Sequence, residues 1–520
     1  MGHRDQNSFL MWASVVVLTA ARIGFAGAQP PAGGTVDNTI EVDPDPRTLI
    51  VWTAQNHPLL RATGARVVAA RQQSVVETAP YDWLLWSDVQ YSRILRTPTR
   101  ITDPDDYQRA DGAVGVSRLW NFGLQTSVVV GLTYEHFGLA ENSALANLPI
   151  RVFNSSENYS PSLALQLEQP LLRGRSPEAN EAAQVSADHA AEAARLRAEQ
   201  AASTVLSETL LAFVDVAAAA EVFQLQKEAL AAAEEQLEKT RLLAARGLLA
   251  SVETFPLEQA VVARKRQIVE TAGVLDSAWL RLEHAVGAKV ARNKGNPPTF
   301  SFMETLGLGE VPIAEYDETV SKTKAYGPRI AASEWRRHQA LVVNAEDREL
   351  PNLVIRASAS LDGSDNDLAG AIEDVFTAAN PQFAVGIRLD LPLYNRAAQA
   401  VHTQARLESS ARETEIEIEQ KRALYELRRL RTVIENAELA EDLLQETEKW
   451  AEQTWLAEKS RLEAGRGTAM LVSQALVQWV DSRLLRVQSN ADRGRSLVTY
   501  RHAAGSLLLD LGIETTVAVP

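Results

Sequence analysis

The sequence predicts a mainly α-helical protein with a β part, in which one structural unit occurs twice. Each copy consists of a strand segment that ends at a proline, a helix of nearly seventy residues, a turn marked by glycine, and a second long helix. The interval is 77 residues from Pro170 to Gly247 and 73 residues from Pro392 to Gly465, so the two copies have nearly the same length. A duplicated unit is stronger evidence for a fold than any single local motif.

The composition is typical of an exported protein that is in contact with water. The chain has 520 residues, 46% of them hydrophobic, a mean hydropathy of −0.16 and no run of eighteen apolar residues. No helix is therefore expected to span a bilayer. Arg4, the apolar stretch Phe9–Ala21 and the small residues Ala26–Ala28 have the order of a secretory signal. This pattern predicts a cleaved signal peptide over residues 1–28 and a mature chain that starts near Gln29.

Cysteine content and net charge exclude two further classes. The chain has no cysteine, which rules out a disulfide framework and leaves packing and oligomerisation as the sources of stability. Its net charge of −15 argues against a nucleic-acid partner, because nucleic acids are bound by basic surfaces.

The region before the first long helix starts as helix and continues as β structure. Residues 29–80 are predicted as an N-terminal extension and a leading helix, with helical stretches at Thr48–Ala54 and Pro58–Ala79. Residues 81–170 are predicted as the first β segment, because glycine, proline and asparagine recur and apolar residues alternate, as in Gln125–Tyr134.

The second half has the same order with a shorter β segment. Residues 316–350 are its leading helix and residues 351–392 its β segment. Between the equivalent prolines there are 41 residues in this half and 90 in the first. The first half therefore carries an insertion, which we expect to form an extra hairpin around Tyr81–Val116. Residues 289–315 link the halves, and residues 513–520 form a C-terminal tail.

Two long helical hairpins account for most of the remaining chain. Residues 171–288 and 393–512 are predicted to contain, in order, the helices Ser176–Ala244, Glu253–Val286, Arg396–Glu463 and Ala469–Leu511. Apolar residues recur every seven positions at Val216, Phe223, Leu230 and Leu237, with a second row beside them, so this helix can meet neighbours on two sides. At about 1.5 Å per residue, the first helix of each hairpin is roughly 100 Å long. The helices alone also suit a dimeric coiled coil.

The strand segments are too few to close a useful barrel within one chain. There are about four to six of them, and an open sheet edge cannot lie in lipid, so several chains would have to share one barrel. Apolar residues alternate with polar or small ones at Leu163, Leu165 and Leu167 and at Val385, Ile387 and Leu389. Apolar-out, polar-in alternation is typical of a transmembrane barrel strand, although it also suits a half-buried soluble sheet.

Several short motifs, in this order and in two copies, resemble the TolC-like outer membrane efflux protein family. They are the strand exits Gln169–Gly174 and Leu391–Asn395, Pro351 before the second β segment, and the turns Arg246–Glu253 and Ala464–Thr468. The resemblance covers about residues 37–512.

The resemblance implies a homotrimer in the bacterial outer membrane that extends into the periplasm. In this family, four strands per chain close a twelve-stranded β-barrel in contact with lipid, and the helices form an α-barrel tunnel through the periplasm. The implied function is the exit duct of a tripartite efflux or type I secretion system. The implied partners are a periplasmic adaptor protein and an inner-membrane transporter.

The resemblance also implies roles for individual positions. The turns would be periplasmic tips that dock the adaptor, through Arg246, Gly247, Leu248, Ser251, Glu253, Gly465, Arg466, Gly467 and Thr468. The two turn glycines also suit a helix C-cap, and the arginines could complement the helix dipole. Leu471 and Gln474 would line the tunnel entrance, where some members carry acidic residues. We therefore expect the entrance to close by apolar packing and hydrogen bonding. Strand–helix junctions are expected at Pro80, Pro170, Pro351 and Pro392.

No pattern in the sequence indicates an enzyme, a cofactor or a metal site. Nucleophile-elbow, phosphate-loop and zinc-protease motifs are absent. The eight histidines are dispersed, and the acidic loop Asp362–Asp367 lacks the distal glutamate of a calcium loop. A periplasmic adaptor and a structural coiled-coil protein of the cell envelope remain alternatives. The adaptor would need one hairpin flanked by β domains, and the coiled-coil protein would need no strands before its helices.

Overall fold

The computed structural model describes residues 41–42, 45–95, 106–138, 157–292, 299–308 and 316–513. The predicted signal peptide, most of the N-terminal extension, part of the predicted linker and the tail beyond residue 513 lie outside these residues. Within the described ranges, no helix combines the length and apolar character needed to cross a membrane.

The described chain begins with a two-residue strand, Glu41–Val42, which pairs parallel with Lys289–Val290. Two consecutive helices follow, α1 (Pro46–Asn56) and α2 (Pro58–Thr78). Each starts with a proline at the first helical position, where no N–H donor is needed. Asp45 caps α1, since its carboxylate accepts a hydrogen bond from the Thr48 N–H. A 3-10 turn at Ala79–Tyr81 follows α2. The helical stretches predicted for this region are confirmed.

One antiparallel sheet joins the two halves of the chain. Its six strands are β1 (Leu84–Leu95), β2 (Asp106–Leu119), β3 (Gln125–Gly138), β4 (Glu157–Pro170), β5 (Asn352–Asp362) and β6 (Asn380–Asp390). In space they follow the order of the chain, and each pairs antiparallel with the next. The strands β1 and β6 are therefore the two edges of the sheet.

The strand count corrects an expectation taken from the resemblance. The resemblance implies four strands per chain, whereas the described sheet has six. The additional strands come from the insertion, which forms the hairpin β1–β2 as predicted. The strand β2 then pairs with β3 along its whole length, so the hairpin belongs to the sheet. An alternating pattern identifies a strand but not its neighbour, which is why the sequence left this open.

The register of the five pairings separates apolar from polar side chains. The apolar face carries, among others, Leu85, Val89, Val116, Val128, Leu165, Ile355 and Val385. The polar face carries Asp88, Asp111, Ser127, Gln166, Arg356 and Arg388. The alternation predicted for β4 and β6 is confirmed and continues into the neighbouring strands. At the strand ends far from the helices, however, the same face carries Arg93, Gln108, His136 and Glu157.

Five further long helices make the fold mainly helical, as predicted. They are α3 (Ala182–Ala245), α4 (Thr254–Val286), α5 (Tyr326–Asp347), α6 (Arg396–Glu463) and α7 (Ala469–Ala504). The bounds of α6 are those predicted from the sequence. At about 1.5 Å per residue, its 68 residues span roughly 100 Å.

Two helix ends differ from the prediction. A short helix, Pro177–Asn180, precedes α3, and Glu181 interrupts the helical hydrogen bonding between the two. At the other end of the fold, α7 stops at Ala504 and not at Leu511. Gly505 has a φ of 68° there, and a Cβ at this position would lie 2.4 Å from the Lys324 carbonyl oxygen. Gly505 closes the helix with a Schellman motif, in which its own N–H donates to the His502 carbonyl and the Ser506 N–H donates to the Arg501 carbonyl. The contact with Lys324 is an additional, non-local reason for glycine at this position.

At each level between the hairpin turns and the sheet, most helix–helix contacts follow a single row. Near the hairpin turns the order is α4–α3–α7–α6, and nearer the sheet it is α2–α3–α5–α6. One apolar core lies between the sheet and the hairpin turns, and its members include Phe213, Leu282, Phe302 and Tyr500. A second core lies close to the turns. Smaller contacts near the turns cross the row, between α4 and α7 and between α3 and α6. The two end helices have no partner on their outer sides within the described chain.

Candidate docking tips

The two hairpin turns close their first helices with the same backbone motif. At the end of α3, the Leu248 N–H donates to the Leu243 carbonyl at 3.0 Å and the Gly247 N–H to the Ala244 carbonyl at 2.9 Å. This pair of bonds is a Schellman motif, and Gly247 supplies the left-handed residue with a φ of 73°. No atom lies within 4 Å of a Cβ placed on Gly247, so backbone conformation alone requires glycine.

The turn after α6 repeats this motif and adds a close contact. The Arg466 N–H donates to the Arg461 carbonyl and the Gly465 N–H to the Leu462 carbonyl, both at 2.9 Å, and Gly465 has a φ of 70°. Gly467 follows with a different constraint, because a Cβ there would lie 3.0 Å from the Leu462 backbone nitrogen. The C-cap reading of the two turn glycines is therefore confirmed.

Glu253 connects the two tips directly. It ends a 3-10 turn, Ser251–Glu253, and its Oε2 accepts a hydrogen bond from the Ala469 N–H at 3.1 Å. Thr468 caps the same helix locally, as its hydroxyl accepts from the Leu471 N–H at 3.4 Å. A carboxylate at a helix N-terminus satisfies a free donor and interacts favourably with the helix dipole. The sequence singled out Glu253 for docking but could not reveal this partner, which is 216 residues away.

The tips expose more apolar surface than the sequence suggested. Arg246, Ser251, Arg466 and Thr468 are exposed, as expected for docking residues, and so is Leu248. Three large apolar side chains that the sequence analysis did not select are also exposed: Val252 at 60%, Phe255 at 64% and Met470 at 58%. Exposed apolar groups that lie close together are typical of a protein contact surface. The only signal in the sequence for these three residues is that each is a large apolar residue close to a polar turn.

The predicted entrance residues lie on the first turns of α7. Leu471 and Gln474 are both exposed in the single chain, whereas Val472 between them is buried in the core near the turns. Closure of a tunnel by these two side chains would thus need groups from other copies of the chain.

An ion-pair network ties the two hairpins together just above the turns. The Lys239 ammonium lies 2.8 Å from Glu235 and 2.9 Å from Glu463, and the Lys459 ammonium lies 3.1 Å from Glu235. Hydrogen bonds from Lys239 and Lys459 lower the pKa of the Glu235 carboxyl. The network joins α3 to α6, one helix from each hairpin, and sequence analysis did not predict it.

A compact core beneath this network holds the tips in place. Leu237 and Leu257 from the first hairpin pack with Leu462 and Val472 from the second. Trp455 and Trp479 stack beside them with ring centroids 5.0 Å apart. The two tips therefore form one packed unit.

The four predicted junction prolines lie where strands meet helices. Pro80 is in the 3-10 turn after α2, and Pro170 is the last residue of β4. Pro351 directly precedes β5, while Pro392 follows β6 by two residues. Hydrogen bonds of side chains stabilise these junctions. Asp347 accepts from the Gly174 N–H at 2.8 Å, Asn395 donates to the Glu349 carbonyl at 2.9 Å, and Tyr81 donates to the Asn180 carbonyl at 2.8 Å.

The described residues contain no group of three or more histidine, cysteine, aspartate or glutamate side chains that could hold a metal ion. In the acidic loop, Asp367 caps a short helix, Leu368–Phe376, by accepting from the Gly370 N–H. This carboxylate therefore has a structural role.

Comparison with solved structures identifies the fold. The outer-membrane channel OprN shares 14% sequence identity at a TM-score of 0.61, with 89% of this chain and 90% of OprN covered. A membrane protein from Pseudomonas aeruginosa shares 15% identity at 0.61, with coverage of 96% and 100%. The open state of the MtrE outer membrane channel from Neisseria gonorrhoeae shares 15% at 0.59, with 90% of both chains covered. The TolC-like fold is therefore confirmed. No family model and no curated protein sequence matches the chain.

Proposed function

We propose that the chain is one subunit of a homotrimeric exit duct in the bacterial outer membrane. In this proposal it belongs to a tripartite efflux or type I secretion system and conducts substrates received from an inner-membrane transporter. Its fold is that of proteins described as outer membrane channels. The same comparison supports a non-enzymatic role. A periplasmic adaptor or a structural coiled-coil protein is less well supported, since neither accounts for the six-stranded sheet in front of the helices.

The observation that carries the proposal is that the sheet and both levels of the helix row have two unpaired ends. The sheet ends at β1 and β6, the upper helix row at α2 and α6, and the lower row at α4 and α6. The outer stripe of α4 exposes Val262 and Val269 seven residues apart, and α6 exposes Leu443 and Trp450 at the same interval. Seven-residue apolar stripes are coiled-coil seams, which require a partner helix. A closed ring of identical copies supplies that partner at both ends and at all heights.

The two faces of the sheet fit a barrel in lipid. On the apolar face, Val89, Val385 and Ile387 are all more than two-thirds exposed in the single chain. At about 3.3 Å per residue and a tilt near 40°, the 11 residues of β6 rise roughly 28 Å. The apolar band of an outer membrane barrel is about 25 Å tall. We propose that this face contacts outer membrane lipid and that the polar face lines water.

The tips then have two roles at the periplasmic end of the duct. We propose that Arg246, Leu248, Ser251 and the equivalent residues of the second turn dock the periplasmic adaptor, with Val252, Phe255 and Met470 added to the surface. Three copies of Leu471 and Gln474 would meet at the tunnel entrance and close it by apolar packing and hydrogen bonds. The division into a signal peptide, two β segments and two hairpins belongs to this proposal.

A cross-link between neighbouring copies tests the ring. The ion pairs Arg241–Glu258 and Lys265–Glu234 align α3 with α4. The pairs Lys239–Glu463 and Lys459–Glu235 align α3 with α6 at a constant offset of 224 residues. Together they place Leu280 of α4 at the height of Leu443 of α6. Because the chain has no cysteine, Leu280→Cys with Leu443→Cys introduces the only two thiols.

With a short bismaleimide added to outer membranes, we expect products of two and three chains and none larger. The matched control combines Leu280→Cys with Leu485→Cys. Leu485 is an exposed leucine on α7, next to Arg486, which pairs with Glu448 of α6 at nearly the same height. Since α7 lies inside the row, this control should give no product between chains. A soluble monomer in the periplasm, or cross-linked dimers alone, would contradict the proposal.

A further inference from the structure

We infer that strand β1 of one copy pairs with strand β6 of the next, so that three copies close a barrel of eighteen strands. The inference rests on the proposed homotrimer and goes beyond it, since it identifies the joint between copies. In it, the hairpin β1–β2 that distinguishes the first half provides one side of each joint. The occupant of the free edge of β1 is thus a second copy of this chain.

The two edges are complementary in direction. The six strands alternate, so β1 runs away from the helices and β6 runs towards them. Placed side by side in neighbouring copies, they are antiparallel, as every other pair in the sheet is. Their lengths of 12 and 11 residues also agree. Both are exposed along nearly their whole length in the single chain. Unpaired backbone groups at such an edge are unstable in lipid, and closure satisfies them.

The faces also match across the joint. On β1 the apolar face carries Leu85, Val89 and Leu95, and on β6 it carries Phe383, Val385 and Ile387. The polar faces carry Asp88 on β1 and Arg388 on β6. Pairing the edges therefore continues the apolar face and the polar face around the ring without interruption.

The stagger of the strands has the value that a barrel requires. One row of directly paired residues crosses the sheet through Ser87, Val114, Val130, Leu163, Leu361 and Pro381. It starts three residues from Leu84, the helix-side end of β1, and finishes nine residues from Asp390, the helix-side end of β6. A shift of six residues over five steps, at about 3.3 Å per residue and 4.8 Å per step, corresponds to a tilt of about 40°. Strands of outer membrane barrels tilt by about 35–45°.

The width of such a barrel matches the helical part. Eighteen strands at about 4.8 Å spacing and 40° tilt give a diameter of roughly 36 Å, whereas twelve give roughly 24 Å. Three copies of the four-helix lower row form a ring of twelve helices. At about 9 Å between axes, that ring has a diameter of roughly 34 Å. The eighteen-stranded barrel therefore continues the tunnel at nearly constant width, and its bore suits bulky solutes.

Paired cysteines on the apolar face distinguish the two strand counts. In the first set, Val89→Cys on β1 is combined in turn with cysteine at Phe383, Val385 or Ile387 on β6. Val89 and Val385 each lie five residues from the helix-side end of their strand. In at least one of these variants, the two cysteines should therefore lie directly opposite each other across the joint. We expect oxidation to convert most of the chain in one or two of these variants into disulfide-linked dimers and trimers.

The second set replaces Val89→Cys by Val130→Cys, another exposed valine of the apolar face, on β3. In a twelve-stranded barrel the hairpin β1–β2 would lie outside and β3 would meet β6 of the next copy. Linking by the Val130 pairs overturns the inference, and so does failure of all three Val89 pairs in protein that still forms the Leu280–Leu443 link. Failure of the Leu280–Leu443 link itself would instead refute the proposed ring.

Discussion

Glu253 illustrates how a single side chain can fix the relation between two tips. Its carboxylate accepts the Ala469 N–H, one of the donors that α7 leaves free in its first turn. Thr468 satisfies another of these donors from within the same tip. The second hairpin thus depends on the first for part of its N-terminal capping, and a change at one tip is transmitted to the other.

Replacing Glu253 by alanine should loosen the start of α7. Loss of one capping hydrogen bond costs about 1 kcal/mol, which corresponds to about fivefold faster opening. We expect amide exchange in the segment Thr468–Val472 to accelerate by about this factor. Glu253→Gln keeps a carbonyl oxygen as acceptor and should behave like the parent. Glu258→Ala on α4 removes an exposed ion pair with Arg241 of α3 and should leave exchange in that segment unchanged. Equal exchange in the parent and Glu253→Ala would refute the capping role.

Replacing either turn glycine by alanine should destabilise the local structure, whereas the same replacement of a glycine inside a helix should stabilise it. Gly247 and Gly465 have positive φ, where alanine is strained by about 1 kcal/mol or more. Gly247→Ala and Gly465→Ala should therefore speed amide exchange of Leu248 and Arg466, respectively, by about fivefold. Gly64 lies inside α2 with no atom within 4 Å of a Cβ, so Gly64→Ala should slow exchange of α2. Slower exchange at Leu248 or Arg466 would contradict the C-cap assignment.

The sequence predicted these glycines because a helix C-cap is a local feature. The signal is the point at which the apolar periodicity stops and a glycine follows, and it involves only a few residues on either side of Gly247 and Gly465. The acceptor role of Glu253 and the exposure of Val252 and Phe255 depend on how the hairpins pack. No local pattern encodes that packing, so sequence analysis assigned Glu253 to docking alone and omitted the two apolar residues.

At the scale of elements, the sequence predicted the end of α6 correctly and placed the end of α7 too late. Gly465 ends α6 through its own backbone. Gly505 ends α7 with the same backbone motif, so a local signal for this end was present in the sequence, and the close approach to the Lys324 carbonyl also requires glycine. The hairpin β1–β2 was expected, yet its place in the sheet depends on long-range pairing with β3.

The ion network between α3 and α6 should respond to reversal of one charge. Lys459→Glu puts a carboxylate beside Glu235 and should speed amide exchange near the end of α6 by about twofold to fivefold, the range for exposed ion pairs. Adding Glu235→Lys should restore most of the protection. Lys421→Glu is the control, because Lys421 is an exposed residue that pairs with Glu417 within α6. If the double variant were no better than Lys459→Glu, the pair would not connect the hairpins.

The same network should weaken in acid. Lys239 and Lys459 lower the pKa of the Glu235 carboxyl below its usual value near 4.5. A carboxyl with a lowered pKa in the folded state stabilises that state above its ordinary pKa, and the stabilisation is lost as pH falls through the lowered value. Exchange at the end of α6 should therefore rise as pH drops below about 4.5, after correction for the intrinsic rate. Glu235→Gln should remove most of that dependence.

At the scale of the whole molecule, the described chain is a row of elements that is open at both ends, and we propose that copies of the chain close it. Sequence analysis reached this idea from the number of strand segments and from the length of the helices. It could not determine the strand count per chain, since the resemblance implies four and the insertion adds two to the same sheet. The row therefore has the fold of outer membrane channels but a wider sheet than the resemblance implies.

The two faces of β6 should tolerate charge very differently if the sheet lies in the outer membrane. Val385 is on the apolar face and Ala384, its neighbour, is on the polar face. A lysine facing lipid near the middle of the bilayer costs about 2–4 kcal/mol, whereas one facing a water-filled lumen costs little. We expect Val385→Lys to reduce the trimer recovered from outer membranes at least tenfold. Ala384→Lys, the same change one residue away, should leave the yield within about twofold of the parent. Equal yields of the two variants would show that the apolar face does not contact lipid. A half-buried soluble sheet would also tolerate lysine on one face alone, but its product would appear in the periplasmic fraction. The pair of variants, measured in both fractions, therefore separates a membrane barrel from a soluble sheet.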